Sequence, residues 1–174
     1  PYPRYTRALI KLFPTVQEHY NHPGKGSLLD AACGEGTFAV AMAKDGWQVT
    51  GIDQSERMLQ HARRKPETAE LGIRFLRRDM RSMGFNAEYD LVTCWFDSLN
   101  YLLQYSDLSQ AFSSAYQALK PGGYYLMDMN TIYGLAFTWQ QNPYYIQQDQ
   151  DGIFEVHSTS YDYENQIASL HITG

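Results

Sequence analysis

Cysteine is nearly absent: 174 residues hold two, Cys33 and Cys94, each inside an apolar run. That excludes a disulfide framework and reads as two buried, reduced thiols of a cytoplasmic protein. Basic charge is scarce as well. Lys and Arg number 14 against 19 Asp and Glu, for a net charge of −5. A broad phosphate-binding surface is therefore not expected, and Arg63-Arg64-Lys65 reads as one exposed helix end; no nucleic-acid partner is implied. No apolar run is long enough to span a membrane, so no membrane partner is implied either. The five His are scattered, with His19 and His22 flanking a Pro-Gly loop. Neither His-Glu-x-x-His nor Gly-x-Ser-x-Gly occurs, which removes the common signatures of metal-dependent hydrolysis and triad chemistry, and no metal is expected. No charged-then-apolar leader precedes the fold, and the chain opens on Pro1, a start that reads as trimmed.

What is present is enough for one domain over residues 1–174: 44% of residues are hydrophobic and 14% aromatic. Apolar runs that suit buried parallel strands recur at 27–33, 48–53, 73–79, 89–96 and 123–130, with helical stretches between them. The first helix, about 5–20, is expected to break at Pro14. The next spans about 37–43. A third, about 55–64, has Ser55 as its N-cap and Met58, Leu59 and Ala62 on its inward face. Asp107 is expected to cap a fourth, whose stripe is Leu108, Ala111, Phe112, Ala115, Tyr116 and Leu119, stopped by Pro121-Gly122-Gly123. This is the pattern of an α/β, doubly wound, Rossmann-like and mainly parallel sheet, whose C-terminal strand ends share one ligand-binding rim. After Asn130 the periodicity fades into a loop. Residues 153–161 and 166–173 then read as an antiparallel hairpin around Glu164-Asn165. The organisation is an N-terminal helix in 1–26, a cofactor-binding core in 27–130, and a loop with hairpin in 131–174 that is a candidate lid.

Chemistry concentrates in Leu28-Leu29-Asp30-Ala31-Ala32-Cys33-Gly34-Glu35-Gly36-Thr37-Phe38-Ala39, where an apolar strand ends in an acid and a glycine turn just before a helix. Gly34 and Gly36 let the backbone approach a ligand, and free N–H groups of the helix face it. Gly34-x-Gly36-x-x-Ala39 also satisfies the dinucleotide fingerprint, and Asp53 lies where a ribose-binding acid belongs, so an NAD(P)-dependent oxidoreductase is a fair alternative. Asp30 tips the balance. A carboxylate before the turn repels a diphosphate but attracts an amino-acid ammonium. Asp79, followed by Met80, suits adenine: the acid accepts from the exocyclic amine and the next N–H donates to a ring nitrogen. Polar residues also end strands for purely structural reasons, which remains an alternative for each acid singly.

In order and spacing, Leu28–Ala39, Gly51-Ile52-Asp53-Gln54-Ser55-Glu56-Arg57-Met58-Leu59, Arg78-Asp79-Met80, Tyr89–Tyr101 and Leu119-Lys120-Pro121-Gly122-Gly123 resemble the successive motifs of class I S-adenosylmethionine-dependent methyltransferases. The resemblance covers roughly residues 27–130. It implies the cofactor S-adenosylmethionine, with Asp30 and the turn Ala32, Cys33, Gly34 and Gly36 on the methionine part. Asp53 would hold the ribose hydroxyls, Asp79 and Met80 would frame the adenine, and Gln54 and Met58 would pack nearby, though Met58 reads equally as core. Ala32 stands where the family pattern has its first glycine. Trp95 is expected near the adenine or on the pocket floor, and Tyr5 to close over the methionine end.

Asp97-Ser98-Leu99-Asn100-Tyr101 and Asp128-Met129-Asn130 are similar to a small-molecule branch that includes bacterial amino-sugar N-methyltransferases. Asp97 is the candidate base or ammonium grip, with a helix-capping turn acid as the alternative. Asn100, Tyr101, Asn130 and Tyr133 are candidate acceptor contacts. Tyr133, Tyr144, Tyr145, Tyr161 and Tyr163 suit a lid over a cation, or simply half-buried sheet positions. The Asn/Asp-Pro-Pro-Tyr/Phe run of amino-methylating DNA enzymes is absent. Relatives in this branch continue with another helix and a final strand pair, so the chain reads as a fragment lacking its last strands, or else the hairpin is itself the closing pair; a missing pair would leave an open edge that favours a homodimer. A non-catalytic S-adenosylmethionine-binding or dimerisation module is the further alternative.

Overall fold

Leu28 and Leu29 are adjacent and both fully buried, yet they belong to different apolar layers. Leu28 packs with Leu91, Phe38 and Leu59, whereas Leu29 packs with Val92, Leu99 and Ala115. Successive strand side chains point to opposite faces, so a strand covered on both sides needs an unbroken apolar run. The computed structural model describes residues 2–20, 24–150 and 153–174, and in it the chain divides into two compact units, Pro1–Asp128 and Met129–Gly174. His22 and Pro23, read as loop, lie outside the described residues.

The first unit contains strands β1 (Ser27–Ala31), β2 (Gln48–Asp53), β3 (Arg74–Arg77), β4 (Tyr89–Cys94) and β5 (Leu119–Met127). They pair in parallel in the order β3-β2-β1-β4-β5, with Asp30 opposite Gly51 on one side and Thr93 on the other. The order reverses between β1 and β4, and a crevice opens beyond the carboxyl ends of strands at such a switch point. Crossovers are made by α2 (Thr37–Lys44), α3 (Glu56–Arg64) with the short α4 (Pro66–Glu70), and α5 (Tyr105–Ala118), while α1 (Tyr2–His19) precedes the sheet.

Several expectations need correction. Helix α1 runs through Pro14 instead of breaking there, because packing holds it: Phe13 is 4% exposed and meets Trp47 edge-on at 5.8 Å. Met58 is 46% exposed, since the inward stripe of α3 is Leu59 and Ala62 and Met58 falls one position off it. Tyr116 is likewise exposed; α5 turns Ala111, Ser114, Ala115 and Ala118 inward. Asp107 does not cap α5, which begins at Tyr105 after Gln104; its carboxylate pairs instead with Arg81 at 3.1 Å. Trp95 and Phe96 lie beyond β4, and β5 starts at Leu119, directly after α5 and four residues before the expected start. Both cysteines are free, but only Cys94 is fully buried.

The second unit is a three-stranded antiparallel sheet of β6 (Tyr144–Gln150), β7 (Ile153–Asp162) and β8 (Ile167–Thr173), in that order. The expected loop after Asn130 contains a π-helical turn, Gly134–Thr138, then α6 (Trp139–Gln141) and β6, a strand defined by its pairing with β7 and not by any period of its own. Tyr163 and Thr159 donate hydroxyl hydrogen bonds to the Ala136 and Trp139 carbonyls and fasten that turn to the sheet. His157, 9% exposed, lies between Tyr145 Oη at 3.0 Å from Nδ1 and Glu155 Oε1 at 2.5 Å from Nε2. An ionised carboxylate only accepts, so Nε2 carries a proton.

Gly36 is the tightest position at the rim. Its φ is 73°, and a Cβ there would sit 2.5 Å from Phe75 Cζ and 3.2 Å from Ala62 Cβ. Left-handed strain and overpacking add, so Gly36→Ala should lower stability by about 2–4 kcal/mol, measured as an earlier urea midpoint at unchanged slope.

Candidate functional site

Because β1 lies in the middle of the sheet, its penultimate side chain, Asp30, is 2% exposed. Oδ1 accepts from the Thr93 hydroxyl at 3.0 Å, and Oδ2 is buried with no hydrogen-bond partner among the described residues. A half-satisfied buried carboxylate favours its neutral form. Burial lifts Asp30 from the ordinary 3.8 to about 7, against the Thr93 hydrogen bond and with the Asp53 charge adding to the rise.

After Asp30 the backbone turns through left-handed conformations at Ala32 (φ 55°), Gly34 (φ 54°) and Gly36, which precedes α2. For Ala32, at the place of the family's first glycine, that conformation costs about 1 kcal/mol. A Cβ on Gly34 would meet nothing within 4 Å, so the main chain there borders open space. Cys33 is half-buried; burial, then the charges of Asp30 and Asp53, hold its thiol far above the usual range, as an inert group.

Asp53, the last residue of β2, joins this turn to the next one. Its Oδ2 accepts from the Gly34 amide and its Oδ1 from the Ser55 amide, both at 2.8 Å. The Arg78 amide reaches the Asp53 carbonyl at 3.1 Å and brings the end of β3 alongside. Asp79 caps the 3-10 turn Met80–Ser82 and accepts from the Arg81 amide and guanidinium, which holds it below the usual carboxylate range. A cleft of about 120 Å³ lies among these turns, lined by Ala32, Asp53, Gln54, Arg78, Met80, Ser98 and Tyr101.

Beyond β4, Phe96 (φ 60°) and Asp97 (φ 51°) are consecutive non-glycine residues in left-handed conformations. Strain of this kind persists only where surrounding contacts over-determine it. Here the Asp97 amide donates to Asp128 Oδ1 at 3.0 Å, and the Tyr5 hydroxyl donates to Asp128 Oδ2 at 2.9 Å while its ring packs on Phe96 at 5.3 Å. Burial, then the Asp128 hydrogen bond, then the charges of Asp128 and Asp97, raise the Tyr5 phenol above its usual range. The Asp97 side chain does not cap the 3-10 turn Ser98–Tyr101 that follows it.

Asp30, Ala32, Cys33, Gly34, Gly36, Asp53, Gln54, Asp79 and Met80 lie at or just beyond the ends of β1 to β3, with Asp97, Asn100 and Tyr101 after β4 and Tyr5 against Asp128; of these, Ala32, Asp53, Gln54, Met80 and Tyr101 line the cleft. Met58 is exposed on α3 and does not line the cleft. Trp95 packs edge-on against Phe38 of α2 at 5.6 Å and is not among the lining residues either; its indole N–H is buried without a partner. Asn130 and Tyr133 belong to the second unit, where Tyr133 stacks on Phe137 at 5.1 Å. Arg81 and Thr93 were given no site role from the sequence, and Arg78, Ser98 and Asp128 stood there only within motifs. Asp128 was open to the rule that singled out the other acids, since it directly follows β5 much as Asp79 lies just beyond β3.

A parallel sheet with a carboxylate at each of several adjacent strand ends, and a glycine turn at the switch point, defines a nucleotide-binding domain of the Rossmann type. The comparisons with known proteins narrow it. The family model described as "Methyltransferase domain" matches residues 28–123. YqeM of Bacillus subtilis (strain 168), itself classed as a methyltransferase, is 39% identical over 130 residues, which are 74% of this chain and 52% of that protein. The dTDP-3-amino-3,4,6-trideoxy-alpha-D-glucopyranose N,N-dimethyltransferase of Streptomyces venezuelae is 36% identical over 58% of this chain and 41% of its own. A solved S-adenosylmethionine-dependent methyltransferase from Clostridium acetobutylicum aligns with a TM-score of 0.82 at 25% identity, over 95% of this chain and 65% of that one. The chain belongs to the S-adenosylmethionine-dependent methyltransferase family, and it spans about half the length of the curated relatives it matches first.

The residues present fit that cofactor. The orphaned Asp30 oxygen is the complement of an ammonium, and the open side of Gly34 admits a ligand against the backbone. The titration of Asp30 has a measurable sign. Between about pH 4 and 7 the folded chain keeps a proton that the unfolded chain releases, so ligand-free stability should fall as pH rises through that window. Asp30→Asn should flatten this slope in chemical unfolding measured at a series of pH values. Affinity for a ligand bearing an ammonium should climb over the same range in the parent protein and not in the variant.

Proposed function

We propose that the protein transfers a methyl group from S-adenosylmethionine to nitrogen or oxygen of a small-molecule acceptor. The observation that carries this reading is the buried, unpartnered oxygen of Asp30 at the sheet's switch point. When bound, the cofactor supplies an electrophilic methyl on a sulfonium whose departure leaves a neutral thioether, so the protein need furnish no acid for the leaving group. Asp30 pairs with the methionine ammonium and the turn Ala32–Gly36 borders the methionine chain. Asp53 accepts from the ribose hydroxyls. Asp79 and the Met80 amide frame the adenine, with Gln54 beside it.

The chain's main task is orientation, since holding acceptor and methyl in line contributes about 7–11 kcal/mol by proximity. A general base adds only about a hundred- to ten-thousand-fold. In this reading Asp97 grips a protonated acceptor or takes its proton. The Asp97 amide donates to Asp128 Oδ1 at 3.0 Å, so these two acidic residues meet beyond the ends of β4 and β5. Such a pair attracts an ammonium, which favours an amine acceptor and accords with the amino-sugar N,N-dimethyltransferase among the relatives. Asn100 and Tyr101 are the proposed acceptor contacts.

Calorimetry tests the reading. S-adenosylmethionine should bind at about micromolar strength, and Asp53→Ala should weaken it by about 10- to 100-fold through loss of charge-assisted hydrogen bonds. Heat with a nicotinamide dinucleotide and none with S-adenosylmethionine would instead establish the oxidoreductase. Binding without labelled methyl transfer to any amine, sugar or phenol in a broad screen would mark a non-catalytic module.

A further inference from the structure

Arg81 holds Asp79 more completely than a surface ion pair would. Oδ1 accepts from the Arg81 amide at 2.8 Å and Nε at 3.1 Å, and Oδ2 accepts from Nε at 3.1 Å and Nη2 at 2.7 Å. A carboxylate offers about four lone-pair directions. Three N–H groups make these four contacts, the Nε hydrogen being shared between the two oxygens, so three donors face four directions and one acceptor direction is left, on Oδ2. The other side of the guanidinium is anchored as well: Nη1 donates to Asp107 Oδ2 at 3.1 Å in the first turn of α5. Two residues on, the Met83 amide donates to Ser114 Oγ of α5 at 2.8 Å in the buried core. The segment from Asp79 to Met83 is therefore tied to α5 at two points, with Met80 facing the cleft between them.

We propose that Arg81 is a positioning residue that makes the site selective for a 6-aminopurine over a 6-oxopurine, by fixing Asp79 with a single open acceptor direction for the exocyclic amine. The inference rests on the cofactor reading above. A 6-oxo group presents an acceptor to that same oxygen, and two acceptors facing each other without a proton repel. Where the carboxylate is free to rotate or to take up a proton, the distinction fades, because a protonated Asp79 donates to a 6-oxo group. The guanidinium keeps Asp79 ionised and still. Lysine at this position keeps the charge but lacks the planar fork.

The test compares S-adenosylhomocysteine with S-inosylhomocysteine, which differs at that one substituent, by calorimetry on the whole chain and on Arg81→Lys, Arg81→Met and Asp107→Asn. The parent should prefer the adenosyl compound by at least about tenfold. Arg81→Met should bring the ratio to within about threefold, with Arg81→Lys and Asp107→Asn between, all at circular dichroism spectra like the parent's. Equal loss of affinity for both ligands, at an unchanged ratio, would mean that Arg81 is merely structural and would overturn the proposal. So would a parent with no preference between the two. If the parent binds neither compound, it is the cofactor assignment that fails; Arg81→Met unfolding by itself is met by Asp107→Asn, whose ratio then decides.

Discussion

The carboxylate of Asp30, buried at the centre of a parallel sheet with one oxygen paired and the other unpaired, is the constraint around which this domain is built. Its position is dictated by topology. β1 has a neighbour on each side, and both faces of the sheet are covered, so water reaches the side chain only from beyond the strand ends. Thr93, its register partner on β4, satisfies Oδ1; nothing among the described residues satisfies Oδ2. Burying a charge in that condition is costly, and a fold retains such a group where a ligand completes it.

Around Asp30 the same device is repeated. Asp53, Asp79 and Asp128 each end or follow a parallel strand, and each accepts a backbone N–H from a nearby turn. A short acid at a strand end thereby shapes the following backbone and leaves a carboxylate on the rim. The contacts also explain how Phe96 and Asp97 keep left-handed conformations side by side, since Asp128 holds the Asp97 amide and Tyr5 packs on the Phe96 ring. Rigid turns rather than a deep enclosed cavity make the site, which suits a reaction whose barrier falls mainly through orientation.

Much of this was legible in the chain. Short apolar runs marked the five parallel strands, and Ser55 capped α3 as its type and position suggested, its hydroxyl accepting from the Met58 amide. The glycine turn at Gly34 and Gly36 stood out because only those residues reach its backbone angles at low cost. Other features were hidden because they depend on partners far away in sequence. Nothing near Pro14 announces that Phe13 will pack on Trp47 and carry the helix through. Nothing near Asp107 announces Arg81, 26 residues earlier, so a capping role was the natural expectation. Strand β6, rich in Gln and Asp, has no period to display and exists because β7 pairs with it.

By itself, the sequence determined the class of protein: local patterning sets which segments are strands, the spacing of acids and glycines places them at strand ends, and those signals need no knowledge of distant contacts. Tertiary structure alone decided the electrostatic state of the site. Whether a carboxylate is half-satisfied, as Asp30 is, or held by a guanidinium that is itself anchored on α5, as Asp79 is, depends on burial and on distant partners such as Thr93 and Asp107, which are not written in a residue's neighbours along the chain.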